Sequence, residues 1–348
     1  MCFFHDMKKK EVLPEQNVTE KVCGIIFSRD RAMQLDGLLR SLFLHCGDMD
    51  HAQITVLYKA TKEGHARQYQ KLAAEYEGRI LFKEQQDFRR DTLSIFCSVL
   101  SQKMKRKYSI LSALGSIGFS SGSYFDRFWR STFGYFLVSL AVRIRSVVSS
   151  NACILFLVDD NIFVRDFLLT DIVNALETQD DLIGFSLRIG ENTTYCYSQN
   201  HPQSLPNMIF LDEQRCKYDW TKSEYDFGYP LEVSSSVYRL KDMLPFMLSL
   251  PFENPNVLEG RMAFYAKKFA PKYSFLGCFR RSVTFCNPVN VVQSVILNRA
   301  GEEIRHDIDD LAVRFERGER IRIESYDNFI PNACHQEVEF VFEMDSNS

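Results

Sequence analysis

The chain has 348 residues, 45% of them hydrophobic and 25% charged, and a formal net charge of −3. This composition excludes a disordered chain, a collagen-like chain and a uniformly basic nucleic-acid binder, and the length allows one large domain or two ordinary ones. Charge is uneven: residues 101–150 carry eight Lys and Arg against the single acid Asp126, so the remainder is acidic.

Residues 1–20 read as a polar tail whose charges follow a very short apolar stretch, unlike a secretory leader. VCGIIF (22–27) is predicted as a buried strand. RAMQLDGLLRSLFLHC follows as a helix with Leu35, Leu38, Leu39 and Leu42 on one face. Strands at 53–60 and 79–85 alternate with helices at 65–78 and 88–107. Apolar strands in β-α-β-α-β-α order predict a parallel sheet with helices on both faces. The pattern breaks at an insert of about 102–132, rich in Ser, Gly, aromatic and basic residues, before a helix at 133–148. ACILFLVDDN (152–161) is the strongest strand of the chain. Shorter strands follow at 182–189 and 231–240, and an alternating antiparallel edge strand at 338–343. The expected architecture is one mixed-sheet α/β domain over 21–343, its less regular acceptor half beginning near 182.

Ten cysteines are spaced no closer than eight residues, which excludes zinc-ribbon spacing and reads as buried reduced thiols of a cytoplasmic protein. No GxxxxGK[ST] phosphate loop occurs, and SRDRAM stands where a dinucleotide fold needs GxGxxG. GxSxG occurs once, at Gly118–Gly122, but no buried strand delivers Ser120. The chemical signal is Asp159-Asp160-Asn161. A buried parallel strand delivers its last residues to the ligand edge of its sheet, and acids there are costly unless they bind a metal or donors. A strand-end aspartate can equally cap the next turn. Glu259 is placed in the first turns of a helix opening at Pro255, where an acid also suits the helix dipole.

FSRDRAMQLDGLLRSL, VLYKAT and LFLVDDNIFVRDF resemble bacterial GT-A type glycosyltransferases related to family 2. So do FSLRIGENTTYCY, DFGYPLEVSSSVYR, FENPNVLEG, NPVNVVQ and ACHQEVEF, in that order. The resemblance implies a Rossmann-like GT-A fold, a nucleotide-sugar donor (UDP-sugar foremost) and a glycan, lipid-linked or protein acceptor. It also implies Mn²⁺ or Mg²⁺ held by a DxD-type triplet. Here the triplet ends in Asn161, which offers a carbonyl oxygen but no charge. Donor-binding candidates are then Ser28, Arg31, Gln34, Lys59, Glu84, Asp159 and Asp160. Metal candidates are Asp160, Asn161 and His335. Glu259 is the expected base of an inverting transfer, Asp226 a second candidate, and Trp220 and Tyr229 are stacking faces for the acceptor. The basic and aromatic residues of 103–136 could dock on an anionic membrane or close over the acceptor.

Overall fold

Residues 22–98, 100, 152–291 and 299–345 are described by the computed structural model. The predicted polar tail, insert and helix at 133–148 lie outside them, and so does membrane contact through 103–136.

Strand β1 (Val22–Arg29) alternates its side chains between two cores: Ile25 and Phe27 face one side of the sheet, Ile26 the other. The same alternation runs along β4 (Cys153–Val158), with Ile154 and Phe156 on one side and Leu155 and Leu157 on the other. Strands buried on both faces need helices on both faces, which is why these segments read as continuous apolar runs. Helix α1 (Ala32–His45) buries the predicted stripe Leu35, Leu38, Leu39 and Leu42 completely. It lies on the face that also holds α2 (Glu63–Glu75), α4 (Leu169–Thr178) and α7 (Ile308–Glu316). The opposite face is covered by α3 (Phe88–Ser98), α5 (Leu240–Leu248) and α6 (Pro255–Tyr265).

Among the described residues, nine strands form the main sheet. β3 (Leu81–Glu84), β2 (Ala52–Lys59), β1 and β4 are neighbours in that order, parallel as predicted. β11 (Ser235–Arg239) then runs antiparallel between β4 and β6 (Leu182–Ser186). Beyond β6 the sheet continues with β12 (Phe275–Phe279), β10 (Arg215–Asp219) and β9 (Ile209–Phe210). The fold is α/β with a mixed sheet, parallel in its first half.

Two expectations change. The strand predicted over 152–161 breaks at Asp159 and Asp160, which form a turn; Asn161 opens β5 (Asn161–Phe163), paired with β13 (Thr284–Cys286). The strand predicted at 338–343 appears as β15 (Phe342–Met344), but it pairs with β14 (Glu319–Ile321) away from the main sheet.

One close approach shapes the site. An added Cβ at Gly184 in β6 would lie 2.4 Å from the Tyr238 ring of β11. Glycine therefore lets Tyr238 lie across β6. The Tyr238 hydroxyl accepts from the Glu232 amide at 2.9 Å and lies 3.1 Å from the Pro230 carbonyl, which fixes the loop entering β11.

Candidate active site

The C-terminal ends of β1 and β4, the end of β6 and the start of antiparallel β11 fall on one edge of the sheet. That edge brings together residues 28–31, 159–160, 188 and 232–235. Ligands of open α/β sheets bind beyond such strand ends.

Asp159 is buried and fully engaged. Its Oδ2 accepts from Ser28 Oγ at 2.9 Å and from the Arg29 amide at 3.1 Å, and its Oδ1 accepts from Arg31 Nη1 at 3.1 Å. Ser28 Oγ is also 2.6 Å from the Tyr69 hydroxyl, which accepts from the Arg31 amide at 3.1 Å. Arg31 donates from Nη2 to the Asn290 carbonyl at 2.5 Å, and Gln34 donates to Asn290 Oδ1 at 3.2 Å. A charge-assisted network of this kind fixes rotamers as well as charge.

Asp160 differs. Its Oδ2 lies 3.5 Å from Arg31 Nη1, and its buried Oδ1 has no hydrogen-bond partner among the described residues. Burial pushes its carboxyl up to about 6 against the pull of Arg31. Asn161 turns inward: Oδ1 accepts from the Val158 amide at 2.9 Å and Nδ2 donates to Cys286 Sγ at 3.3 Å. The structure therefore gives Asn161 the task of closing the turn, and the amide that was expected to face a metal is spent on the backbone.

A second cluster lies beside the first. Arg188, just past β6, is buried; Nη2 is 3.6 Å from Glu232 and Nη1 is 3.3 Å from His335 Nε2. The Glu232 carboxylate accepts from the Ser235 amide at 3.0 Å, from the Ser234 amide and from the Ser236 hydroxyl. Between these residues, Val233 donates its amide to Glu259 Oε2 at 2.9 Å, and Tyr229 is hydrogen-bonded to the same carboxylate. Glu259 sits in the first turns of α6, whose N-cap Asn254 accepts from the Val257 amide, as the Pro255 signal predicts. Burial raises the Glu259 carboxyl above its usual range, opposed by Arg188.

The remaining candidates divide. Asp226 is bound by Gln203 at 2.9 Å, and burial raises its carboxyl. His335 is driven down to about 3 by burial and by Arg188. Its Nε2 faces a guanidinium, so the nitrogen proposed for a metal is paired with a cation instead. Trp220 is buried in the core with its indole NH on the Tyr273 carbonyl at 2.8 Å, which removes it as a stacking face for an acceptor. Lys59 and Glu84 end β2 and β3 on the exposed surface; the Lys59 carbonyl accepts from the Asp30 amide at 3.1 Å, but neither side chain is hydrogen-bonded to the clusters among the described residues. Arg188, Glu232 and Asn290 went unnoticed as site residues. The available signal was a charge inside an apolar run, in FSLRIG and in PLEVSSS.

Among the described residues no group of three or more His, Cys, Asp and Glu could hold a metal, and no helix is long and apolar enough to cross a membrane. No family model matches the chain. The bifunctional glycosyltransferase pgtA of Dictyostelium discoideum is 29% identical over 98 residues, which is 26% of this chain and only 13% of that protein. Among solved structures, S. aureus TarS 1–349 is similar at a TM-score of 0.41 with 11% identity, over 76% of this chain and 60% of that one. Core-mannan synthase A of Aspergillus fumigatus, in its Mn/GDP form, gives 0.31 and 10%, over 84% and 82%. Mouse xyloside xylosyltransferase 1 gives 0.27 and 10%, over 91% and 84%. Across that 98-residue stretch the chain is similar to a glycosyltransferase, in keeping with the GT-A resemblance of its own motifs.

Proposed function

We propose that this protein transfers a sugar from a nucleotide-sugar donor, a UDP-sugar foremost, to a hydroxyl of a glycan, lipid-linked or protein acceptor. The observation that carries the reading is the asymmetry of the acid pair. Asp159 is saturated by Ser28, Arg29 and Arg31, whereas Asp160 keeps a buried oxygen without a partner at the ligand edge. Among the described residues at that edge, this oxygen is a carboxylate acceptor left free for a divalent ion. Mn²⁺ or Mg²⁺ held by Asp160 would neutralise charge on the leaving diphosphate. Arg31, locked by Asp159 and Asn290, presents a fixed cation to the same region.

Glu259 is the base in this reading. The acceptor oxygen forms a bond to the anomeric carbon, and the bond from that carbon to the diphosphate oxygen breaks. The electron pair leaves with the nucleoside diphosphate, the hydroxyl proton passes to Glu259, and the configuration inverts. The burial that raises Glu259 brings its proton affinity nearer to working pH, where a general base is most effective.

A second reading, a weakly catalytic relative that binds a glycan or a partner, is favoured by the inward turn of Asn161. Thermal-shift screening of UDP, GDP and their sugars with and without Mn²⁺, together with assay of nucleoside diphosphate release, separates the two. The enzyme reading expects a nucleotide-dependent shift, and turnover that falls at least about a hundredfold in Asp160→Ala. Absence of both shift and turnover favours the binding protein.

A further inference from the structure

Arg188 is a charged side chain that both clusters feel. It lies against Glu232 and His335, and its charge acts on Asp160 at the end of β4 and on Glu259 in α6. We propose that Arg188 is a positioning residue: paired with Glu232, it fixes the loop that holds Glu259 and keeps that carboxylate in its charged, proton-accepting form. The inference rests on the reading of Glu259 as base.

The mechanical part runs through the backbone. Glu232 gathers the amides of Ser234 and Ser235 and the Ser236 hydroxyl onto one carboxylate. Tyr238 accepts the Glu232 amide at 2.9 Å from below. The loop thus shaped points the Val233 amide at Glu259 Oε2, 2.9 Å away. Arg188 is the cation that makes a buried Glu232 tolerable.

The electrostatic part concerns Glu259 itself. The groups facing it are Arg188 past β6, Glu232 and Tyr229 in the loop before β11, and Tyr238 within β11. Glu232 makes ionisation of Glu259 harder, and Arg188 is the one cation among these four groups that opposes burial. His335, held neutral beside it, accepts from Arg188 without competing as a second cation. Loss of Arg188 therefore shifts Glu259 towards its protonated form.

The test uses two readouts. The first is a double-mutant cycle of Arg188→Gln and Glu259→Gln, read by chemical denaturation of the full chain. Either substitution removes the attraction between the two charges, and Arg188→Lys, which keeps the charge that Glu232 requires, is the folded control. The expected result is non-additivity; additive effects overturn the inference whether or not turnover is found. The second is UDP release from UDP-N-acetylglucosamine with Mn²⁺ between pH 5 and 9. In Arg188→Gln the acid limb of kcat should move up by about one pH unit or more, with kcat at pH 7 down at least about tenfold and the donor KM changed far less. Arg188→Lys should recover most of the limb position. An unmoved limb overturns the proposal. A wild-type protein that releases no UDP, while the cycle still shows coupling, counts against the proposed function and in favour of the pairing.

Discussion

Asp159 and Asp160 are neighbours in sequence and opposites in environment. One accepts three hydrogen bonds and holds Arg31; the other keeps a buried oxygen for something else. Their substitutions should separate accordingly. Asp159→Ala leaves Arg31 buried with its main partner gone and should cost about 3–5 kcal/mol of stability, read as a lowered denaturation midpoint. Asp160→Ala removes a carboxylate with one unsatisfied oxygen and only a 3.5 Å contact to Arg31, and should lower that midpoint far less while turnover collapses. Equal destabilisation by both would contradict the division of labour. At Glu259, substitution by Gln keeps size and the Val233 hydrogen bond but cannot take a proton. Nucleotide binding should survive while transfer falls by two to four orders of magnitude, roughly the scale of general-base catalysis. The identities of these three acids were legible in sequence, because acids at the end of an apolar strand and in the first turns of a helix stand out. Which aspartate would be consumed by its neighbours was not, since Ser28 and Arg31 lie 131 and 128 residues away along the chain.

At the level of elements, the site depends on how closely β6 and β11 meet. Gly184 leaves room for Tyr238, and Tyr238 holds the loop that carries Glu232 and Val233. Gly184→Ala would drive a methyl into that ring and should cost about 1–3 kcal/mol as overpacking. Because the displaced ring is the loop's anchor, kcat should fall further than a remote mutation of equal cost would make it fall. A matched destabilising substitution in α4 supplies the comparison, and equal kinetic effects would remove the link between strand packing and the base. The first two helices were predicted within about three residues at each end, since each carries an apolar stripe; the third was predicted to run to 107 and is described only as Phe88–Ser98, residues 101–107 lying outside the described residues. β12 and β10 were missed: their burial is decided by partners that only the assembled sheet supplies.

At the scale of the molecule, the C-terminal segment is tied back to the first helix. Buried Arg320 in β14 lies 3.5 Å from Asp36 in α1, 3.4 Å from Glu75 in α2 and 3.1 Å from Asp345. Burial raises Asp36 to about 7 despite Arg320. Its folded-state affinity for a proton exceeds that of the unfolded chain, so this group's contribution to stability declines as pH rises from about 4 to about 7. Arg320→Leu should extend that decline to higher pH, because it removes a cation that holds Asp36 down. The loss should be about 3–5 kcal/mol at pH 8, where the native Asp36 is ionised against Arg320, and smaller at pH 5, where Asp36 is protonated in both proteins. Denaturation midpoints at the two pH values measure the difference, and an equal loss at both would show that Asp36 does not govern the effect.

The sequence by itself determined the class of fold and the strand end that gathers the candidate acids. Apolar periodicity is a local property, and the residues that end a buried strand are exposed to the ligand edge whatever surrounds them. Tertiary structure alone decided the rest: that Asn161 reaches Cys286, that Trp220 belongs to the core, and that Arg188 joins Glu232 and His335 and acts on Glu259. Those roles are set by partners tens to well over a hundred residues away. Hydrogen bonding and charge pairing act over a few ångströms of space, and chain distance carries almost no record of them.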